Sequence, residues 1–416
     1  MMSPARQICD SEPQVLISTG EVSGDLIGAG LAKALLACDP SARLWGVGGF
    51  RMEEAGVRII DNTNLLGSVG ITEPLSTVPG VMRTFRRIRD HVRNRRPDVA
   101  VLIGHEFFHM ILARWLRAGG IPTVAYFPPQ VWIWRRLAGP IARSYDLILT
   151  SFPEEHRVYR MAGGNVLFVG HYLRDLLKPV SPEGRAAARH ELGLDGPGPV
   201  IGLLPGSRMQ EVDRLLPLFL DAAEDLRRGE PQARFVVPAA ESSFAKAAER
   251  LIENRAWKDR VTVTRGSHQA MTASDLIISC SGTATLEAML IGVPMVIVYQ
   301  VSGITWLVVE FLDRSGLIHS KTAGLPNLIA GKRLVPEIIQ YEAVPSQIGR
   351  EALSILHDPG RQQRIKADFE TVAAMMGEPG AAERAARAVM SKKSGPIGPG
   401  VLAAPIEGRA MIKSYK

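Results

Sequence analysis

Cysteine is scarce in this chain: three among 416 residues, Cys9, Cys38 and Cys280, with no CxxC pair. An odd, scattered set excludes a disulfide framework and a thiolate zinc site, and it fits a reducing cytosol. Long apolar runs are also missing. No window reaches the ~18 uninterrupted apolar residues of a membrane span, and the best stretch, residues 304–318, is broken by Glu310, Asp313 and Arg314. The opening MMSPARQICDSEPQ has no continuous apolar core of signal-peptide length. The expectation is a protein that is soluble or lies on a surface. Acidic residues are the minority charge, 42 against 49 basic, for a net charge of +7. That balance favours acidic partners, whether a phosphorylated small molecule, an anionic membrane or nucleic acid, without choosing among them.

What is present is enough apolar sequence for cores. With 46% hydrophobic and 22% charged residues, the chain can build about two to three compact domains. Short, nearly continuous apolar runs alternate with helical segments: VLIST (15–19), RLWGV (43–47), VRII (57–60), DVAVLI (98–103), TVAYF (123–127), LILT (147–150) and VLFVG (166–170). A second series follows a polar, proline-bearing stretch: VIGLL (200–204), RFVVP (234–238), VTVT (261–264), LIIS (276–279) and MVIVY (295–299). Runs of this kind indicate parallel sheets covered on both faces. The expected fold is α/β, with two doubly wound Rossmann-like domains over residues 14–177 and 178–391 and a ligand cleft between them. The terminal helices are assigned to the second domain. The tail 392–416, rich in Gly, Pro and Lys, reads as disordered.

Two segments of the second half carry the strongest chemical signal. In LLPGSRMQE (203–211), Gly206 and Ser207 supply a tight turn with free N–H groups, and Arg208 can grip phosphate oxygens bidentately at a helix entrance. An arginine there otherwise opposes the helix dipole, although a plain surface arginine fits the same position. SGTATLE (281–287) repeats the layout after the strand LIIS. Ser281, Gly282 and Thr283 face a diphosphate, and Glu287 accepts from two ribose hydroxyls or is merely helped by the dipole.

The first half is more ambiguous. SGDLIGAG (23–30) opens a helix with Ser23, Gly24 and Asp25, either approaching a ligand or forming a capped turn. HEFFH (105–109) matches the HExxH zinc pattern, which needs both histidines on one helix face and the glutamate beside a metal-bound water. It directly follows the strand DVAVLIG, so polar residues at a cleft mouth are the competing reading. In PPQVWIWRR (128–136), Trp132 and Trp134 line a sugar or acyl surface or pack ordinarily. The segment 81–96 places Val81, Met82, Phe85, Ile88 and Val92 at helical spacing among Arg83, Arg86, Arg87, Arg89, Arg93, Arg95 and Arg96. It meets a membrane or phosphate, or it is an amphipathic helix with a solvated basic face.

Taken in order, these segments resemble the lipid-A-disaccharide synthase family, inverting glycosyltransferases of GT-B architecture. The resemblance is carried by STGEVSGDLIGAG (18–30), GVGGFRMEEAG (46–56), VGITEPL (69–75), PPQVWIWR (128–135), FVGHYLRD (168–175), LLPGSRMQEV (203–212), SGTATLEAMLIGVPMVIVYQ (281–300) and GLPNLIAGKRLVPEIIQ (324–340). It implies transfer of 2,3-diacylglucosamine from UDP to the 6-hydroxyl of 2,3-diacylglucosamine 1-phosphate. It further implies no metal or other cofactor, no nucleic-acid partner, and work at the cytoplasmic face of the inner membrane as a peripheral protein. Oligomeric state and acyl-chain preference stay open. On the donor side the resemblance implies Gly206, Ser207, Arg208, Ser281, Gly282, Thr283, Glu287, Asn327 and Gln340. On the acceptor side it implies Ser23, Gly24, Asp25, Glu73, Trp132 and Trp134.

One departure stands out. The family segment after the fourth strand resembles IDAPDFN, whose first Asp is the proposed general base. Aligned without gaps, that Asp falls on Gly104, the second on Phe107 and the Asn on His109. A general base is worth ~10²–10⁴ in rate, so a replacement is expected, and His105 or Glu106 is in reach. Imidazole suits a cytosolic base because it titrates nearest neutrality. An altered acceptor, or UDP-sugar or lipid binding without turnover, accounts for the same change.

Overall fold

The structure is a computed structural model that describes residues 12–20, 22–62, 74–131, 135–239, 241–301, 306, 322 and 324–393. Glu73, Trp132, Trp134, the apolar stretch 304–318 apart from Trp306, and the tail beyond 393 lie outside the described residues, as does the side chain of Glu106. Contacts divide the chain into two units. One takes residues up to Asp175 together with the chain from Gly377, and the other is Leu176–Met376.

In the first unit seven parallel strands lie in the order β3-β2-β1-β4-β5-β6-β7. They are β1 (Gln14–Thr19), β2 (Arg43–Gly48), β3 (Arg58–Asn62), β4 (Val99–Ile103), β5 (Thr123–Tyr126), β6 (Leu147–Thr150) and β7 (Val166–Phe168). Every residue of β4 is buried, as a strand with helices on both faces must be. Strand β1 pairs with β2 on one side and β4 on the other, Ser18 facing Val47 and Leu102 in register. The chain winds outward in opposite directions from β1 and β4, so their carboxyl ends form a topological switch point, the crevice where doubly wound sheets take ligands.

The basic segment forms the helix Pro74–Asn94. Ile88 and Val92 bury into the sheet core, and Phe85 meets Trp115 of the helix Glu106–Ala118 edge-on, ring centroids 5.6 Å apart. Arg87 is no part of a free basic face. It pairs with the buried Asp61 at 2.8 Å, which also accepts from Thr84 Oγ1 at 2.7 Å.

The terminal helix corrects the domain assignment. The helix Ala381–Lys393 packs on the helix Val22–Cys38 of the first unit. Asp175 accepts from the backbone N–H groups of Ala381 and Ala382 at its start, 3.2 Å each, and Arg384 Nε donates to the Val169 carbonyl at 2.8 Å. A carboxylate at a helix N-terminus satisfies orphan donors and complements the dipole, so the return of the chain is fixed by a residue some two hundred positions upstream.

The second unit has six parallel strands in the order β10-β9-β8-β11-β12-β13. These are β8 (Val200–Leu204), β9 (Arg234–Pro238), β10 (Val261–Thr264), β11 (Leu276–Cys280), β12 (Met295–Tyr299) and β13 (Glu337–Ile339). Here the switch point falls between β8 and β11, directly paired from Leu276↔Ile201 to Ser279↔Leu204. At three residues, the edge strand β13 is too short to carry a strand signature in the sequence.

Candidate functional site

Both phosphate-type motifs of the second unit sit at its switch point, PGSR after β8 and SGTATLE after β11. Arg208 is the N-cap of the helix Met209–Gly229, and its side chain is 69% exposed. The preceding turn is not open to an anion in the way the sequence suggested. Glu211 Oε2 accepts from the backbone N–H groups of Ser207 at 3.0 Å and Arg208 at 3.3 Å, and its other oxygen lies 3.7 Å from the Arg208 guanidinium. A Cβ on Gly206, whose φ is +128°, would stand 2.2 Å from the same carboxylate, so glycine is needed to let Glu211 fold over the loop. Of the donors assigned to a ligand, the Ser207 N–H is therefore engaged by the protein's own carboxylate, while the exposed Arg208 guanidinium stays open to phosphate. Glu211 also bears on the crevice electrostatically. Burial first, and Glu211 second, push the Cys280 thiol up to about 12 and raise the Tyr299 phenol.

Across the switch point, Gly282 caps the helix Thr283–Leu290, and Thr285 Oγ1 closes the turn on the Gly282 carbonyl at 2.7 Å. A Cβ on Gly282 would meet nothing within 4 Å, and Thr283 is exposed, so this turn faces open space. Glu287 follows one turn later, half-buried. Burial alone raises its pKa, with no hydrogen bond or opposing charge among the described residues to offset it. A half-buried carboxylate so placed is open to hydroxyl or amide donors brought by a ligand.

Asn327 and Gln340, expected to complete the donor site, are both engaged within the protein, Asn327 completely and Gln340 in part. Asn327 is fully buried. Its amide donates to the Val335 carbonyl at 2.9 Å and Glu337 Oε1 at 2.7 Å, and it accepts from the N–H groups of Leu334 and Val335 at 2.7 and 3.1 Å. All four of its hydrogen-bonding positions are used, which leaves none for a ligand. Gln340, at a left-handed φ of 52°, pairs its amide with both the N–H and the carbonyl of Val301, each at 3.1 Å. Both residues hold loops at the carboxyl edge of the sheet.

In the first unit, Asp25 is likewise committed. It is buried, and it accepts from the N–H groups of Gly49 at 2.7 Å and of Arg51 and Met52 at 3.1 Å each, capping the helix Phe50–Glu54. Gly24 packs against Thr19, and Ser23 is exposed. At the β4 side of the switch point, Gly104 and His105 are both left-handed, with φ of 65° and 50°. Glycine adopts this conformation freely, whereas for histidine it is a strained position. Gly20 makes the space, since a Cβ there would stand 2.1 Å from that of His105. His105 Nε2 is buried with no partner among the described residues.

The zinc reading of HEFFH fails on donors. His109 is fully buried, its Nδ1 bonded to the Gly104 carbonyl and its Nε2 3.0 Å from Ser18 Oγ. Neither nitrogen is left for a metal, and the two histidine rings lie 6.0 Å apart at their centroids.

Two parallel doubly wound sheets, the second with an exposed arginine, an open helix-entrance turn and a half-buried carboxylate at its switch point, have the architecture of a GT-B enzyme. Among solved structures the chain is similar to UDP-GlcNAc 2-epimerase from Neisseria meningitidis bound to UDP-GlcNAc, with a TM-score of 0.63, 12% identity, and 91% of this chain and 100% of that chain covered. It is also similar to MurG from Acinetobacter baumannii, with a TM-score of 0.54, 15% identity, and 91% and 99% covered. A family model described as lipid-A-disaccharide synthetase matches residues 15–390. The lipid-A-disaccharide synthase of Geobacter sulfurreducens is 38% identical over 378 residues, 91% of this chain and 96% of that protein. That of Pseudomonas aeruginosa strain UCBPP-PA14 is 40% identical over 351 residues, 84% and 91%. The chain belongs to the lipid-A-disaccharide synthase family, and it is a hexosyltransferase.

Proposed function

We propose that this chain transfers 2,3-diacylglucosamine from its UDP donor to the 6-hydroxyl of 2,3-diacylglucosamine 1-phosphate, releasing UDP and forming the β-1,6 disaccharide. The observation that carries the reading is the pairing of Arg208 with the open 281–283 turn and Glu287 around one switch point, in a chain matched to this family over residues 15–390. The acceptor oxygen attacks the anomeric carbon in a single displacement. The carbon–oxygen bond to the diphosphate breaks, its electron pair leaves with UDP, and the hydroxyl proton passes to a base. Arg208 and the N–H donors of the 281–283 turn take up the charge that develops on the departing diphosphate, an interaction strongest in the transition state. Glu287 accepts from the ribose hydroxyls. His105 is the base: it stands at the β4 edge of the acceptor-side switch point with a buried, unpartnered Nε2.

The lipid substrates call for a surface. Among the described residues no helix is long and apolar enough to cross a membrane. Phe107 and Ile111, 59% and 60% exposed, lie on the helix that meets the basic helix through Trp115 and Phe85. Met82, also exposed, and Arg83 and Arg86 follow on the basic helix. Apolar side chains beside unburied arginines suit the interface of an anionic leaflet, which supports a peripheral location at the cytoplasmic face of the inner membrane. The test is UDP release with donor alone and with donor plus acceptor, in detergent and on anionic vesicles. Acceptor-dependent release, with co-sedimentation on anionic but not neutral vesicles, supports the reading. Donor binding with no acceptor-dependent release counts against it.

A further inference from the structure

We propose that His109 and Ser18 are positioning residues for the transfer, joined in a buried chain from the Ser18 hydroxyl through the His109 ring to the Gly104 carbonyl that holds the turn presenting His105. The proposal rests on the reading of His105 as the base.

The geometry is specific. His109 ties the turn at two points, its backbone N–H to the His105 carbonyl at 3.1 Å and its ring Nδ1 to the Gly104 carbonyl. A carbonyl only accepts, so Nδ1 carries the proton, Nε2 is bare, and the Ser18 hydroxyl donates to it at 3.0 Å. Ser18 belongs to β1 and the turn to the end of β4, so the chain spans the two strands of the switch point. Both Ser18 and His109 are fully buried. Burial, with His105 adding to it, pulls the His109 pKa down to about 3. The His109 ring therefore stays neutral, with Nε2 free to accept from Ser18.

Such a tether has a purpose here. A left-handed histidine is strained and persists only where its surroundings over-determine it. An Asn amide in place of His109 can donate to the same carbonyl, but it is too short to accept from Ser18.

The test compares His105→Ala, His109→Leu, His109→Asn, Ser18→Ala and the double variant His105→Ala/His109→Leu, each for kcat, KM of both substrates and thermal melting. His109→Leu is expected to lower kcat by roughly 10–100-fold, the scale of misplacing a reacting group by about 1 Å, with donor KM unchanged. His109→Asn should recover most of that loss, Ser18→Ala should lose a few-fold in kcat, and the double variant should be no slower than His105→Ala. Multiplying effects in the double variant, no recovery in His109→Asn relative to His109→Leu, or a normal kcat in Ser18→Ala would overturn the positioning role. If His105→Ala keeps its kcat, the base assignment itself falls and the positioning role falls with it. If His105→Ala is slow while His109→Leu is normal, only the positioning role falls.

Discussion

Replacing Arg208 by alanine isolates the donor-side claim, because so little else depends on its side chain. The guanidinium is largely exposed, and among the described residues its ion pair is with Glu211 at 3.7 Å, a surface contact worth about 0–1 kcal/mol. Stability should therefore hardly change. A bidentate arginine–phosphate contact is worth about 1.5–3 kcal/mol, and on a departing diphosphate that strength is expressed mainly in the transition state. At about 1.4 kcal/mol per tenfold, Arg208→Ala should lower kcat/KM for the UDP donor by roughly 10–150-fold while shifting the melting temperature by no more than about 2 °C. Arg208→Lys should recover only part, since an ammonium keeps the charge and loses the fork. The assay is steady-state UDP release at saturating acceptor, with calorimetry of UDP binding alongside. An Arg208→Ala enzyme within twofold of the parent, folded and saturable, would refute the assignment.

Three further outcomes are expected. Glu287 has a raised pKa from burial, and only its ionised form offers both oxygens as strong acceptors to two ribose hydroxyls. UDP affinity should therefore weaken as pH falls through that raised value, and Glu287→Gln, titrated by calorimetry, should bind more weakly with the pH dependence gone. Glu155, buried at the start of the helix Pro153–Met161, is pushed up to about 8 by desolvation, partly opposed by the Ser151 and Phe152 backbone donors. Its folded pKa exceeds the unfolded one, so the folded state holds the extra proton and this group's contribution to stability falls as pH rises, by at most about 1.4 kcal/mol per pH unit. Denaturant titrations should show the parent losing stability relative to Glu155→Gln from about pH 4.5 to about 8, and a gap that is constant across that window would contradict the burial argument. Asn327→Ala strands buried backbone groups at Leu334 and Val335 together with Glu337. It should cost about 2–4 kcal/mol in chemical unfolding, and donor affinity should fall only as the loop loosens.

Much of this molecule was readable beforehand because its signals are local. The runs from 15–19 to 295–299 became strands β1 to β12 with ends displaced by a residue or two, since a strand covered on both faces is apolar along its length. PGSR and SGTATLE, being strand-to-helix turns, also fell at the switch point. What the sequence concealed depends on partners distant in the chain. Strand β13 is three residues long and forms only against β12. The terminal helix is drawn to the first unit by Asp175 and Val169, neither of which advertises a partner beyond residue 380. HEFFH has the spacing of a zinc motif, but the Gly104–His105 turn and Ser18 engage His109 first. Asn327 and Gln340, expected to contact the donor, spend their amides on Val335, Glu337 and Val301. Glu211, three residues after Arg208, stands at the spacing of a capping box, a local signal of its hold on the turn.

The central claim is an inverting transfer between two acylated glucosamines. Its most direct test is mass spectrometry and proton NMR of the product formed from α-linked UDP-2,3-diacylglucosamine and 2,3-diacylglucosamine 1-phosphate, in detergent with a chelator present. The account predicts UDP and a β-1,6-linked disaccharide 1-phosphate in equal amounts. An α linkage, or UDP released with free diacylglucosamine and no disaccharide, would contradict it.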